Sequence, residues 1–521
     1  PDYLKQSRKV HFDAPGIKNI NTVSGQKALN QKANCRLMYG SDKEDIWTQL
    51  KVFINDALNQ RKSVILLLPE VVGVEKIFHQ HFKNAPYPVF VYDGKITSKE
   101  EFECWNKIRQ EEFCLVIGSR KTVFTPANHL QSIIIVDEDH IAYKQDQTPF
   151  YHVYETALLR QKIEPFSLVL TSSVPRVETW YQSKVERWKV SEHTSKNLSE
   201  IKIVDLTNYK YKYSGCLSVP LQNHINQHIK EGKKILLLLN RKGSSSLTVC
   251  QQCGYILKCP RCEVRLTLSH VQKKLQCNRC QYQADLPTSC PQCRRAYLRS
   301  IGTGIEKVRN DLMKFNAGMK IVVYDQKMEK IPTDVQVVVA TQSILNSEQE
   351  VDFEMVALLD FDQEVNRADY KSHRNIFSLL INLRALANKE LMIQTTTPDH
   401  FILKYLKSMD YESFYQDDLK FRRELDLPPY QRLTAVCLRG REEKKVFEES
   451  TKLLKILSDQ GNKNITLSDV HADVYPKWRD KYRYTISLKA QTVPEILDAV
   501  KPAMKLLKKK KDIVATINVD T

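Results

Sequence analysis

The sequence predicts an α/β protein: two tandem parallel-sheet lobes, a cysteine-rich insertion in the second, and a small C-terminal α+β domain. Three observations carry this. Short apolar runs recur through residues 33–175 and again through 234–394, each separated from the next by room for a crossover helix. Four Cys-x-x-Cys pairs interrupt the second set after its first run. Beyond Pro398 the chain turns more helical and charged before two last strand-like segments.

In the first lobe the runs 63–69 (SVILLLP), 113–117 (FCLVI), 133–136 (IIIV) and 168–170 read as fully buried strands. In the second, 234–239, 320–324, 335–340, 356–359 and 391–394 do so, and 433–438 and 482–489 belong to the final domain. The expected division is 1–24 as a remnant or linker, 25–195 as lobe 1, and 196–247 with 299–405 as lobe 2. The insertion is 248–298 and the C-terminal DNA-binding or scaffold domain 406–521. A chain of 521 residues is too long for one compact core, and 42% hydrophobic content suits several packed domains.

A formal net charge of +18 favours a polyanionic partner, nucleic acid before membrane. The apolar runs are strand-sized and the first thirty residues lack an apolar core, so neither a membrane span nor a signal peptide is expected. The expected location is cytoplasmic, associated with the nucleoid. In such a compartment cysteine pairs argue for metal and against disulfides.

The pairs are Cys250/Cys253, Cys259/Cys262, Cys277/Cys280 and Cys290/Cys293. Each turn directs two thiolates at one point, and two turns complete a tetrahedral site, so eight ligands imply two Zn²⁺. A nested arrangement gives Cys250, Cys253, Cys290 and Cys293 one ion and Cys259, Cys262, Cys277 and Cys280 the other. Iron–sulfur chemistry is the competing use of such thiolates. A closed four-thiolate site has no open position and is structural. Between Cys250 and Arg299 the chain also carries nine Lys and Arg against Glu263 and Asp285, with Tyr255, Tyr282 and Tyr297 interleaved. Cations for phosphates and rings for bases suit a nucleic-acid module, with Lys273, Lys274 and Arg279 its candidate contacts. The plainer reading makes the tyrosines a small core and the charges its solvated surface.

The run 133–140, IIIVDEDH, is a buried strand that delivers carboxylates at its C-terminal end. In nucleotide-hydrolysing motors the first holds Mg²⁺ and the second orients the attacking water, the places of Asp137 and Glu138. The aromatic stretch after it, from Tyr143 and Lys144 to Tyr154, either engages single-stranded nucleic acid or packs inward.

With GSRKTVFTP (118–126), IIIVDEDHIAYKQDQTPFYH (133–152), SSVPRVET (172–179), LLLNRKG (237–243), the cysteine block, GTGIEKV (302–308), ATQ (340–342) and RRELDLPPYQRL (422–433), the chain resembles the bacterial primosomal protein N′ (PriA) family. The resemblance implies RecA-like lobes, the nested zinc pairing, and DNA contact by Tyr143 and Lys144. It also implies partners: forked or single-stranded DNA, other primosome proteins, single-stranded DNA-binding protein and the loader of the replicative helicase. The family's N-terminal DNA-binding domain and winged helix have no counterpart in the sequence given.

The motor motifs depart from the family pattern. A phosphate loop needs G-x-x-x-x-G-K-[ST], whose glycines let backbone N–H groups approach the phosphates. Here residues 37–44 read LMYGSDKE: Gly40 and Lys43 remain, while Leu37, Asp42 and Glu44 replace both glycines and the hydroxyl. Where the family has QVAGRAGR, residues 382–389 read NLRALANK, and Leu386 and Lys389 stand in place of arginines. The segment 340–347 ends in Asn346 and Ser347 where a Lys and a Gly belong. Lys43, Asp137 and Glu138 are therefore expected to be vestigial, with no catalytic residue and no working ATP or Mg²⁺ site. The leading expectation is a restart-primosome protein that binds forked DNA and helps reload the replicative helicase without being an enzyme. The alternative is an active ATP-dependent 3′→5′ helicase with atypical motifs, and a third reading is a zinc-stabilised RNA- or protein-binding module.

Overall fold

The structure is a computed structural model. It describes residues 34–519 apart from 70–72, 93–96, 146–149, 196–197, 210–215, 240–246, parts of 251–281, 296–297, 302–304, parts of 325–329, 347–350, 367–368 and 507–511.

Lobe 1 is built on β1 (Cys35–Tyr39), β2 (Ser63–Leu67), β3 (Val89–Tyr92), β4 (Leu115–Gly118), β5 (Leu130–Ile135), β8 (Ser167–Ser172) and β9 (Lys189–Glu192). The short hairpin β6 (Lys144–Gln145) and β7 (Tyr151–His152) projects between β5 and β8. The seven-stranded sheet runs β3-β4-β2-β5-β8-β1-β9, and every pairing in it is parallel. β2, β4 and β8 are buried along their whole length. That is why they read as continuous apolar runs with no alternation: helices cover both faces.

Lobe 2 starts with β10 (Glu200–Asp205) and β11 (Ile235–Leu238). The cysteine block follows as β12 (Leu247–Cys250), β13 (Thr267–Ser269), β14 (Lys274–Gln276), β15 (Gln283–Asp285) and β16 (Leu298–Ile301). The lobe then resumes with β17 (Ile321–Val323), β18 (Val337–Ala340), β19 (Phe353–Leu358) and β20 (Ala387–Thr395), giving a parallel sheet ordered β10-β20-β19-β11-β18-β17. The insertion closes on itself. β12 pairs antiparallel with β16, Cys250 opposite Leu298, so both chain crossings lie side by side.

The last sheet, β21 (Arg432–Gly440), β22 (Thr466–Leu467), β23 (His471–Trp478), β24 (Lys481–Ala490) and β25 (Val514–Val519), is antiparallel. Helices Glu443–Asp459 and Val493–Leu506 share its core, where Val446, Leu453, Ile496 and Val500 meet Val436, Leu438, Ile486 and Leu488.

One boundary differs from expectation. The helix Tyr411–Glu424, assigned by sequence to the C-terminal domain, packs on the lobes. Tyr415 stacks on Trp180 at 4.3 Å, Phe414 stacks on Phe377 at 4.1 Å, and Arg422 pairs with Glu178. Its aromatic face covers apolar surface that the lobes would otherwise expose, and that burial fixes its place. Among the described residues no helix is long and apolar enough to cross a membrane.

Candidate functional site

The segment expected to cradle phosphate lies inside the sheet. β1 is held between β8 and β9, with Leu37 opposite Leu170 and Tyr39 opposite both Ser172 and Glu192. Leu37, at the place of the first loop glycine, is therefore a core strand residue. The Tyr39 ring meets Trp180 and Tyr411 edge-on, each at 5.2 Å, and its hydroxyl donates to Glu192 Oε2 at 2.8 Å.

The turn from β1 into helix Lys43–Asn59 is three residues long, and two of its three backbone N–H groups and its Ser41 hydroxyl are engaged. Gly40 N donates to Ser172 O (3.1 Å), Asp42 N to His193 O (2.9 Å), and Ser195 N to Ser41 Oγ (3.1 Å). Gly40 has φ +136°, and a Cβ there would stand 2.1 Å from His193 O. The glycine thus admits the end of β9 against the turn. Asp42 caps the helix by accepting from Asp45 N at 3.0 Å, and Glu44 and Asp45 complete an acidic first turn. Three carboxylates already balance the positive end of the helix dipole, which elsewhere attracts phosphate. His193 Nδ1 lies 2.6 Å from Asp45 Oδ2, and that contact holds Asp45 below its usual range.

The acidic turn after β5 is adjacent. Asp137 adopts φ +50°; burial raises its carboxyl, and the charge of Lys43 opposes that rise. Lys43 is exposed at the helix start. Glu138 is not free to orient water. It is fully buried; Oε2 accepts from Arg176 Nε (2.6 Å) and Thr179 Oγ1 (3.1 Å), and Oε1 from Arg176 N (2.8 Å).

The third residue of the turn, which the sequence reading assigned no role, joins the lobes. Asp139 accepts from Ser172 Oγ at 2.5 Å and pairs with Arg374 of lobe 2 at 2.5 Å. Arg374 also donates to the carbonyls of Val174 and Pro175. The residues at the arginine positions lie elsewhere: Leu386 ends the helix Ser372–Leu386, and Lys389 is an exposed residue of β20. Arg384 between them donates to Ser199 O and Leu406 O. No local sequence signal marks Arg374, because its partners belong to the other lobe.

In the cysteine block, the sulfur atoms of Cys250, Cys253, Cys290 and Cys293 all lie within 4.8 Å of one another. Cys250 Sγ is 3.5 Å from Cys293 Sγ, and Cys253 Sγ is 3.7 Å from Cys290 Sγ. Thiolates about 2.3 Å from a tetrahedral zinc stand about 3.8 Å apart, so the set fits the ion. The outer two pairs combine, as the nested arrangement requires. Each turn is built alike: Cys250 N donates to Tyr255 O and Cys290 N to Arg295 O, both at 2.9 Å. Of the inner set, Cys259 and Cys277 are buried with Leu257, Leu266 and Leu275, with Tyr255 and Tyr282 packed against them. Cys277 N donates to Tyr282 O in the same turn geometry. Cys262 and Cys280 lie outside the described residues.

The candidate DNA contacts separate. Tyr143 is a core residue, 1% exposed, whose hydroxyl donates to Val136 O (2.6 Å) and Leu67 O (3.0 Å). The structure corrects its expected stacking role: buried at the C-terminal ends of β2 and β5, the ring has no face open to a base. Lys144 is half-buried in the β6–β7 hairpin, and Lys274 is exposed on β14. Lys273 and Arg279 are outside the described residues. The sequence reading missed a second basic surface against the block, on β23 and β24. Lys477 Nζ donates to Pro260 O (3.2 Å) and Asp480 N to Arg261 O (3.1 Å), while Trp478 packs with Tyr255 and Tyr282. Arg479 and Arg483 lie 5.5 and 5.4 Å from the Trp478 ring, and Arg261 lies 5.5 Å from that of Tyr282. The run KWRDKYRY (477–484) was the available signal.

No protein-family model matches the chain. It is 27% identical over 470 residues to the replication restart protein PriA of Rickettsia felis, covering 86% of this chain and 72% of that one. Against the replication restart protein PriA of Bacillus subtilis it is 27% identical over 472 residues, covering 86% of this chain and 58% of its relative. Among solved structures, RecG bound to a three-way DNA junction is 11% identical, with a TM-score of 0.40 over 75% of this chain and 44% of that one.

Proposed function

We propose, from the premise that this chain belongs to the PriA family of replication restart proteins, that it binds forked DNA and acts as a scaffold for reloading the replicative helicase without ATP-driven unwinding. The observation that carries the second half is the three-residue turn between β1 and the helix Lys43–Asn59. Two of its three backbone N–H groups and the Ser41 hydroxyl are bonded to β8 and to the segment after β9, and a carboxylate caps the helix. A phosphate would have to displace these bonds and meet Asp42, Glu44 and Asp45. Two zincs hold the cysteine block, the second on Cys259, Cys262, Cys277 and Cys280. Lys144, Lys273, Lys274 and Arg279, with Arg261, Arg479 and Arg483, supply its phosphate contacts. Single-stranded DNA-binding protein and the helicase loader are its protein partners, and it works at the nucleoid.

The test is ATP turnover with forked DNA. Removal of the transition-state arginine alone costs on the order of 10³–10⁵ in rate, so the combined losses should leave hydrolysis at background, with Lys43→Ala and Asp137→Asn unchanged. The charge of Lys43, which acts on the Asp137 carboxyl, is what favours the alternative, an active helicase. DNA-stimulated turnover that disappears in Lys43→Ala would establish it.

DNA binding should weaken with salt through counterion release. Replacing Lys273, Lys274 and Arg279 together by Ala should flatten the slope of log affinity against log salt by roughly 0.7–0.9 per lost phosphate contact. Fluorescence anisotropy at several salt concentrations measures this, and an unchanged slope would make these residues solvated surface only.

A further inference from the structure

Away from the cleft and the cysteines, the helix Val219–Lys230 places His224 and His228 four residues apart and therefore on one face. That face meets Glu390 on β20, whose side chain is 1% exposed. His224 Nδ1 at 2.8 Å and His228 Nε2 at 2.9 Å converge on the same oxygen, Glu390 Oε1. We infer that these three atoms are the protein ligands of a divalent metal site of the zinc type, with water in a fourth position on the His224 side.

The hydrogen-bonding account without an ion is incomplete at one atom. For His228 to donate to Glu390, its proton must sit on Nε2. His228 Nδ1 is then buried with no hydrogen-bond partner, in a side chain only 2% exposed, and the nearest carboxylate oxygen is Glu231 Oε2 at 3.6 Å. A neutral ring would direct a lone pair towards that carboxylate; a doubly protonated ring would bury a cation. An ion on Nε2 resolves this, because the remaining ring proton moves to Nδ1 and faces Glu231. Metal-ligating histidines commonly present their second nitrogen to a carboxylate in this way.

The other groups are consistent with an ion. Lys202 Nζ lies 2.5 Å from Glu390 Oε2 and 3.6 Å from Glu200 Oε2, which fixes the Glu390 carboxylate and leaves Oε1 for the metal. The three ligand atoms lie within 4.8 Å of one another. Zinc–nitrogen and zinc–oxygen distances of about 2.0–2.2 Å would spread them to roughly 3.3 Å in a tetrahedron, a small opening within reach of side-chain rotation. Two imidazoles and one carboxylate select a borderline ion such as Zn²⁺ over Mg²⁺ or Ca²⁺. His224 is 27% exposed, which gives the ion access and the open position its water. The site would pin the helix Val219–Lys230 to β20 beside the edge strand β10.

The test is elemental analysis of the full chain as purified with zinc, against the same chain carrying both His224→Gln and His228→Gln. The expected result is one zinc fewer in the variant with the reactivity of the cysteine block unchanged. Equal zinc content would overturn the assignment, and the difference is read independently of how many ions the cysteines hold. Should the variant fold poorly, Co²⁺ substitution of the unmodified chain decides. Four-cysteine sites contain no imidazole, so paramagnetically shifted, exchangeable imidazole N–H resonances are expected from this site, and their absence would refute it.

Discussion

Replacing Cys250 by Ser is expected to unfold the cysteine block while leaving the two lobes folded. Structural zinc supplies about 10–16 kcal/mol of apparent binding free energy in small zinc modules at neutral pH, and that binding energy is largely folding energy. Among the described residues the block's core is small: Leu257, Cys259, Leu266, Leu275 and Cys277, with two tyrosines and Trp478 packed against it. Strands of three or four residues cannot hold such a module unaided. Loss of one of four thiolates should lower the zinc content by one ion per chain and open the chain between 250 and 293 to protease. The lobes should survive, because the insertion leaves and rejoins lobe 2 through the single antiparallel pair β12–β16. Cys104→Ser, on the far lobe, should change neither readout. Unaltered protease resistance and zinc content in Cys250→Ser would refute the metal centre.

The second large effect is expected at Arg374. Its guanidinium, 9% exposed, pairs with Asp139 across the two lobes and donates to two carbonyls of lobe 1. Arg374→Met removes the cation and leaves a carboxylate and two carbonyls without it. Breaking a buried pair from one side costs about 3–5 kcal/mol, so the urea midpoint of the lobes should fall by a corresponding amount. Adding Asp139→Asn should recover a good part of the loss, since no uncompensated charge then remains. The effect should depend on pH in a stated direction. Burial alone would raise the Asp139 carboxyl, but the Arg374 charge and the hydrogen bonds from Ser172 and Arg374 hold it below its usual 3.8. A depressed carboxylate contributes stability that is present above the unfolded value and lost as pH falls through the folded one. The gap between wild type and Arg374→Met should therefore be full at neutral pH and narrow in acid. A pH-independent gap would show that the charge pairing contributes nothing.

The legible parts of this chain were those whose signal is local. β2, β4, β5, β8, β11, β18 and β19 announced themselves as apolar runs because a strand covered on both faces has no polar positions to interrupt it. The cysteine block was legible because a knuckle is a short turn whose two ligands are three residues apart, and ligand count follows from chemistry. β1 was missed as a strand because residues 37–44 invited reading as a damaged loop, and β9 and β10 carry too many polar residues to stand out. Tyr143 was equally compatible with stacking on a base or filling the core, since an aromatic residue suits both.

By itself the sequence pointed to two parallel-sheet lobes and an insertion with four thiolate pairs, and it places Leu and Asp at positions 37 and 42. Each of these is a property of residue type at fixed spacing. Only the tertiary structure decided how these segments are held. Leu37 to Tyr39 are bound into the sheet by β8 and β9, and Tyr39 bonds Glu192, 153 residues away. Glu138 is bound by Arg176 and Thr179, Asp139 is bound by Arg374 from the other lobe, and Tyr143 is closed in against Val136 and Leu67. Hydrogen-bond and ion-pair partners so far apart in sequence leave no local pattern; they exist only once the sheets have formed and buried polar groups must find one another.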